Sequence, residues 1–221
     1  MPAVFFLIEV FTMVQLQHVA PQDIEAESFR IIEEELGPRS LSPGEFAVLR
    51  RSIHATGDFS FAENIRFHPK AVAAGIEAIR AGKNILVDVN MAASGISSAL
   101  LHKFGGKVIC RVHEEETIDL AKQHKSTRSE AAMLRALDDN IGIVANSKKP
   151  TALLKVMQLI DEGRFHPDLV IGVPVGFVNA AESKELLSGV SYPFITALGR
   201  KGGTPVAVAA VNALLRLAGD K

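Results

Sequence analysis

At 221 residues, 48% of them apolar, the chain is long enough to bury a substantial core. Its 24 lysines and arginines nearly balance 25 aspartates and glutamates, which excludes a global field drawing in nucleic acid or an anionic membrane surface. The single cysteine, Cys110, sits in the apolar run KVICRV and reads as a small buried hydrophobe, so there is no disulfide framework and a cytoplasmic location fits.

The opening MPAVFFLIEVFTMV carries Glu9 within its apolar run and lacks a basic leader, so it reads as an extra strand, or as residues ahead of a start at Met13, rather than as an export signal. It is too short to cross a bilayer, and no other segment competes as a membrane anchor. Residues 1–20 are taken as an N-terminal extension and 21–221 as a single domain. Three helices are predicted near 23–36, 43–54 and 68–80. The second opens on a capping box, Ser42-Pro43-Gly44-Glu45, with proline at its first position, and stops at Gly57. Phe46, Leu49 and Ile53 mark its buried stripe, which leaves Arg50 and Arg51 four and three residues before His54. Five runs rich in Val and Ile follow: ILVDVN (85–90), KVICRV (107–112), IGIVAN (141–146), LVIGVP (169–174) and FITALG (194–199). Each is nearly continuous in apolar character, as buried parallel strands are, and helical stretches separate them. The alternation predicts an α/β protein, a three-layer α/β/α domain with a five-stranded, mainly parallel sheet preceded by N-terminal helices.

Ligands of such sheets bind beyond the carboxyl ends of the strands. After the third run, Lys148 and Lys149 precede a helix starting at Pro150 or Thr151; cations there oppose the helix dipole unless an anion is bound, solvated loop lysines being the alternative. After the fourth, Gly172, Pro174 and Gly176 force a tight path; after the fifth, Arg200 and Lys201 flank the glycines of LGRKGGTPVAV. Each alone reads as a simple turn, but three cationic or glycine-rich helix starts on one rim of one sheet point to a ligand bearing several carboxylates or phosphates. None is a P-loop or a GxGxxG fingerprint, and GxSxG is absent. The seven histidines form no HxxH, HxxxH or HExxH and there is no CxxC, so no metal site is expected. Asp88 reads equally as an orienting or ribose-binding carboxylate and as a buried structural one. Ser28 falls on the apolar stripe of the first helix, either bonding back to the carbonyl four residues earlier or directing its hydroxyl into a cleft. Arg128 lies between hydroxyl residues just before a helix. At His54 the helix C-terminus favours imidazolium while Arg50 and Arg51 oppose it; a surface histidine and a proton donor that recovers its proton both remain open.

ESFRII (27–32), RSIHATG (51–57), ILVDVNMAASGI (85–96), STRSEAA (126–132), PTALL (150–154), IGVPVGFVNAAESKELL (171–187) and GRKGGTPVAVAAVNAL (199–214) run in order over nearly the whole chain from Ser28. In these stretches the chain resembles the precorrin-8X methylmutases, the precorrin isomerases of cobalamin biosynthesis, and the seventeen residues from Ile171 are the most diagnostic. The resemblance implies a cofactor-free, homodimeric α/β isomerase that moves a methyl group from C11 to C12 of precorrin-8X or its cobalt-containing counterpart, giving hydrogenobyrinate or cobyrinate. It also implies His54 as the general acid and Ser28, Arg51, Thr127 and Arg128 as substrate-binding residues. Ser147-Lys148-Lys149 departs from the family's small glycine-asparagine-alanine turn, which leaves the fit of the substrate open and keeps a non-catalytic corrinoid carrier as an alternative. A nucleotide-dependent enzyme rests on fold analogy alone.

Overall fold

A computed structural model describes residues 18–220, so the reading of residues 1–14 as an extra strand lies outside them. The chain divides into two compact units, one ending at Gly37 and one beginning at Pro38. In the first, a 3-10 turn over Pro21–Asp23 leads into α1 (Ile24–Leu36), where Arg30 pairs with Glu27 and Glu34 along one exposed face.

The second unit opens with α2 (Pro43–Thr56), and both halves of its capping box form: the Glu45 N–H donates to Ser42 Oγ at 3.3 Å, and the Ser42 N–H donates to Glu45 Oε2 at 2.8 Å. Gly57 ends it in the left-handed region, φ 64°, donating to the Ile53 carbonyl at 2.7 Å. Its buried stripe runs through Val48, Leu49 and Ile53, while Phe46 is only half-buried. The order then continues α3 (Phe61–Asn64), β1 (Ile65–Phe67), α4 (Ala71–Arg80), β2 (Asn84–Val87), α5 (Asn90–Gly95), α6 (Ser98–His102), β3 (Val108–Ile109), α7 (Glu115–Gln123), α8 (Arg128–Arg135), β4 (Ile141–Asn146), α9 (Pro150–Asp161), β5 (Leu169–Gly172), α10 (Ala180–Ser188), β6 (Phe194–Ala197) and α11 (Thr204–Gly219).

All five expected strands are present, and they form one sheet in the order β1-β6-β5-β4-β2-β3. Every pairing is parallel except that of β1 with β6. The unexpected β1 is only the tripeptide Ile-Arg-Phe, too short for an alternating pattern to stand out, and it is held by pairing Ile65 with Ala197. At the opposite edge only Val108 and Ile109 of KVICRV pair with β2.

Register places Leu86, Val144, Val170 and Phe194 in one row across the sheet, and all four belong to one hydrophobic cluster with Met133 of α8, Leu153, Val156 and Leu159 of α9, and Leu187 of α10. Each such side chain removed from water contributes roughly 1.5–3 kcal/mol. The other face carries α4 and α11. Gly75 lets α4 approach so closely that a Cβ there would stand 2.8 Å from Leu214 of α11 and 2.9 Å from Leu169 of β5. Helix α11, with ten buried residues, packs in turn on α2. The sheet therefore lies between two helical layers. From β2 the chain runs outward to β3, returns on the far side of β2 as β4, and proceeds to β5 and β6. The order thus reverses between β2 and β4, where open α/β sheets offer a crevice for ligands.

Candidate substrate site at the carboxyl rim of the sheet

Where β2 ends, Asp88 is completely buried and turned toward the end of β4. Its Oδ1 accepts from the Ser147 N–H at 2.9 Å and the Ser147 hydroxyl at 2.8 Å; its Oδ2 accepts from the N–H groups of Lys148 at 2.8 Å and Lys149 at 3.0 Å. Ser147 Oγ also meets Thr204 Oγ1 of α11 at 3.2 Å. The anion implied by two lysines ahead of α9 is thus supplied from within the fold, and Asp88 is the structural carboxylate of the two readings open in the sequence. The backbone donors of this loop are spent on Asp88, and only the lysine side chains remain exposed for a ligand.

Those side chains line a cleft of about 360 Å³ together with Val89 and Asn90 beyond β2, Val112 and His113 beyond β3, and Thr127, Arg128 and Ser129 at the start of α8. Three basic side chains, Arg128, Lys148 and Lys149, therefore share one cleft at the switch point of the sheet, a place suited to carboxylate or phosphate groups. Thr127 is the N-cap of α8 in a second capping box: its hydroxyl donates to Glu130 Oε2 at 2.7 Å and accepts from the Glu130 N–H at 3.2 Å. It also meets Thr151 Oγ1 at 3.3 Å, which ties the starts of α8 and α9 together. Asn90 and His113 had escaped the sequence reading, although each directly follows or closes a predicted strand, the signal that would have found them.

His54 is exposed on the last turn of α2. That turn is brought to the carboxyl rim by Asp58, whose Oδ2 meets Lys201 Nζ at 2.6 Å in the loop leaving β6. The Lys201 ammonium, helped by Ser60, holds the Asp58 carboxyl down at about 2. Arg51 is elsewhere: with Arg50, Arg80, Lys103 and Arg216 it lines a cavity of about 820 Å³ around the C-terminal end of α11. Ser28 belongs to the N-terminal unit, where its hydroxyl donates to the Ile24 carbonyl at 2.8 Å, the helical back-bond that the sequence left as one alternative. It lines a shallow hollow of about 310 Å³ with Val19, Ile24, Glu27 and Ile31. The structure thus gathers Thr127 and Arg128 with the lysine loop and sets Arg51 in a separate cavity. Cys110 is half-buried, and burial pushes its thiol up, with Asp88 and Glu114 acting in the same direction, so the thiolate is disfavoured. Among the described residues no group of three His, Cys, Asp or Glu side chains is placed to hold a metal ion.

The precorrin-8X methylmutase family model matches residues 23–217, almost all of the described chain. The chain belongs to that family. It is 44% identical to the cobalt-precorrin-8 methylmutase of Priestia megaterium over 201 residues, 90% of this chain and 89% of that protein. It is 37% identical to the precorrin-8X methylmutase of Pseudomonas aeruginosa over 198 residues, 87% of this chain and 94% of that one. A crystal structure of a precorrin-8X methylmutase from Thermus thermophilus superposes with a TM-score of 0.82 at 43% identity, covering 90% of this chain and 98% of its own. Methylmutases relocate a methyl group within one molecule, so the family is one of isomerases. Among the described residues no helix is long and apolar enough to cross a membrane.

Proposed function

We propose that this methylmutase moves the methyl group of precorrin-8X or cobalt-precorrin-8 from C11 to C12, with His54 as general acid and Ser28, Arg51, Thr127 and Arg128 contacting substrate. Membership of the family over residues 23–217 carries the reading. A methyl shift within a conjugated macrocycle leaves the atom count unchanged and needs no nucleophile from the protein. Protonation of the ring system by the His54 imidazolium biases it toward migration, and the same proton returns to His54 once the methyl has moved. Binding holds the ring in the reacting geometry. The exposure of His54 at the rim supports this role, because a donor must reach a ligand that large. The cations of the β2–β4 cleft suit the acetate and propionate arms of a corrin precursor.

The functional domain is taken as residues 21–221, with 1–20 as an extension. We further propose a homodimer working in the cytoplasm. Support for a second copy comes from the loop before α10, where Val175, Phe177 and Val178 are 47%, 83% and 77% exposed; light scattering on the purified chain tests it.

The reaction is tested by mixing each precursor with protein and following its visible spectrum, beside His54→Ala. Conversion by the wild type, with product binding but no conversion by His54→Ala, supports the assignment. Binding of both precursors without conversion would select a corrinoid carrier instead.

A further inference from the structure

Lys184 is the one completely buried lysine among the described residues. It lies on α10, and its Nζ donates to the Lys201 carbonyl at 2.6 Å. Burial pushes the ammonium down to about 8. An ammonium has three donors to satisfy, and sealing it from water is unfavourable by several kcal/mol, where an apolar side chain of similar length would fill the same space without that penalty. The carbonyl it holds belongs to the loop between β6 and α11. That loop is fastened twice more: the Gly203 N–H donates to the Val173 carbonyl at 2.7 Å, and the Arg200 carbonyl accepts from the Gly176 N–H at 3.2 Å.

The Lys201 side chain leaves the same loop toward α2. Its Nζ meets Asp58 Oδ2 at 2.6 Å and donates to Ser60 Oγ at 3.0 Å. Asp58 immediately follows Gly57, the residue that ends α2, and its own N–H donates to Thr56 Oγ1 at 3.3 Å. A continuous chain of contacts thus runs from the interior of α10, through the backbone and then the side chain of Lys201, to the turn that follows His54.

We propose that Lys184 is a positioning residue for His54: by fixing the Lys201 carbonyl it aims the Lys201 ammonium at Asp58, and so sets the orientation of the last turn of α2. The inference rests on His54 as the proton donor of the reaction. Lys184 itself is buried, and its Nζ bonds to the Lys201 carbonyl rather than to His54.

The test uses the full chain with Lys184→Met, Lys201→Met, Asp58→Asn and the conservative Lys201→Arg. Kcat is expected to fall about tenfold in the first three, as a displaced donor implies, with KM and product affinity unchanged, and to recover in Lys201→Arg. The double variant Lys184→Met/Lys201→Met is expected to be no slower than Lys201→Met alone, because both break one chain. Wild-type kcat per folded molecule in Lys184→Met, or independent additive losses, would overturn the proposal. The His54 ring resonances, read by NMR without substrate, separate it from the reaction itself: they are expected to shift in Lys184→Met as they do in Lys201→Met, and unmoved resonances in Lys184→Met overturn the relay whether or not the wild type converts precursor. If Lys184→Met fails to fold, Lys184→Leu takes its place in the same readouts, and unmoved His54 resonances there overturn the proposal.

Discussion

Replacing Asp88 by asparagine removes one charge and one acceptor from the most densely bonded side chain at the switch point. The wild-type carboxylate accepts four hydrogen bonds, two on each oxygen, all from residues 147–149. An asparagine that keeps its oxygen toward Ser147 turns an NH₂ group toward the N–H groups of Lys148 and Lys149, so donors face donors. Two charge-assisted bonds are lost, at roughly 1.5–3 kcal/mol each, and the remaining two weaken to neutral ones. With partial relaxation of the loop the expected loss is about 3–5 kcal/mol, a large share of the roughly 5–15 kcal/mol typical of a folded domain. For a chain of this size that corresponds to a fall in Tm of about 6–20 °C. Urea unfolding at neutral pH reads the energy, and amide exchange at residues 147–149 reads its location. A loss below about 1 kcal/mol, or unchanged exchange at these three amides, would refute the view that Asp88 serves as the internal anion of α9.

Three further outcomes follow from the geometry. Because the fold lowers Lys184 to about 8 from its ordinary 10.5, the unfolded chain binds the extra proton between those values, so the contribution of Lys184 to stability is expected to rise as pH climbs from 8 to 10.5. Denaturation across that window is expected to give Lys184→Met a smaller rise than wild type, by up to about 3 kcal/mol. Gly202→Ala places a Cβ 2.3 Å from the Val173 carbonyl oxygen at φ 150°, so it is expected to destabilise by about 2–4 kcal/mol, measurable in the Tm. Lys148→Ala/Lys149→Ala leaves the Asp88 bonds to the backbone intact and is expected to weaken product binding about tenfold at low ionic strength, by calorimetry, with the difference shrinking toward 1 M salt.

The four inner strands were legible because they are buried on both sides: IGIVAN is buried at all six positions, and its continuous apolar run is what a strand covered on both faces shows. The start of α2 was equally plain, since a capping box is a local bargain between neighbours in sequence. What stayed hidden depends on register between distant residues. Strand β1 has no signal of its own and exists because β6 offers an edge. Lys184 looks like one more polar position in ESKELL until α10 is laid over the loop after β6 and its side chain disappears from solvent.

The lysine loop joins these two levels. Two cations before a helix call for an anion unless they are solvated, and the sequence raises both readings at Lys148 and Lys149. It cannot assign the anion to a ligand or to the protein, because that depends on β2 and β4 being neighbours. Once they pair, with Val87 beside Ala145, Asp88 falls opposite the loop and takes its backbone donors. The lysine side chains, relieved of that demand, are then held beside Arg128 facing the cleft. A buried aspartate, by taking the backbone donors of the loop, thereby fixes where two exposed cations face the cleft.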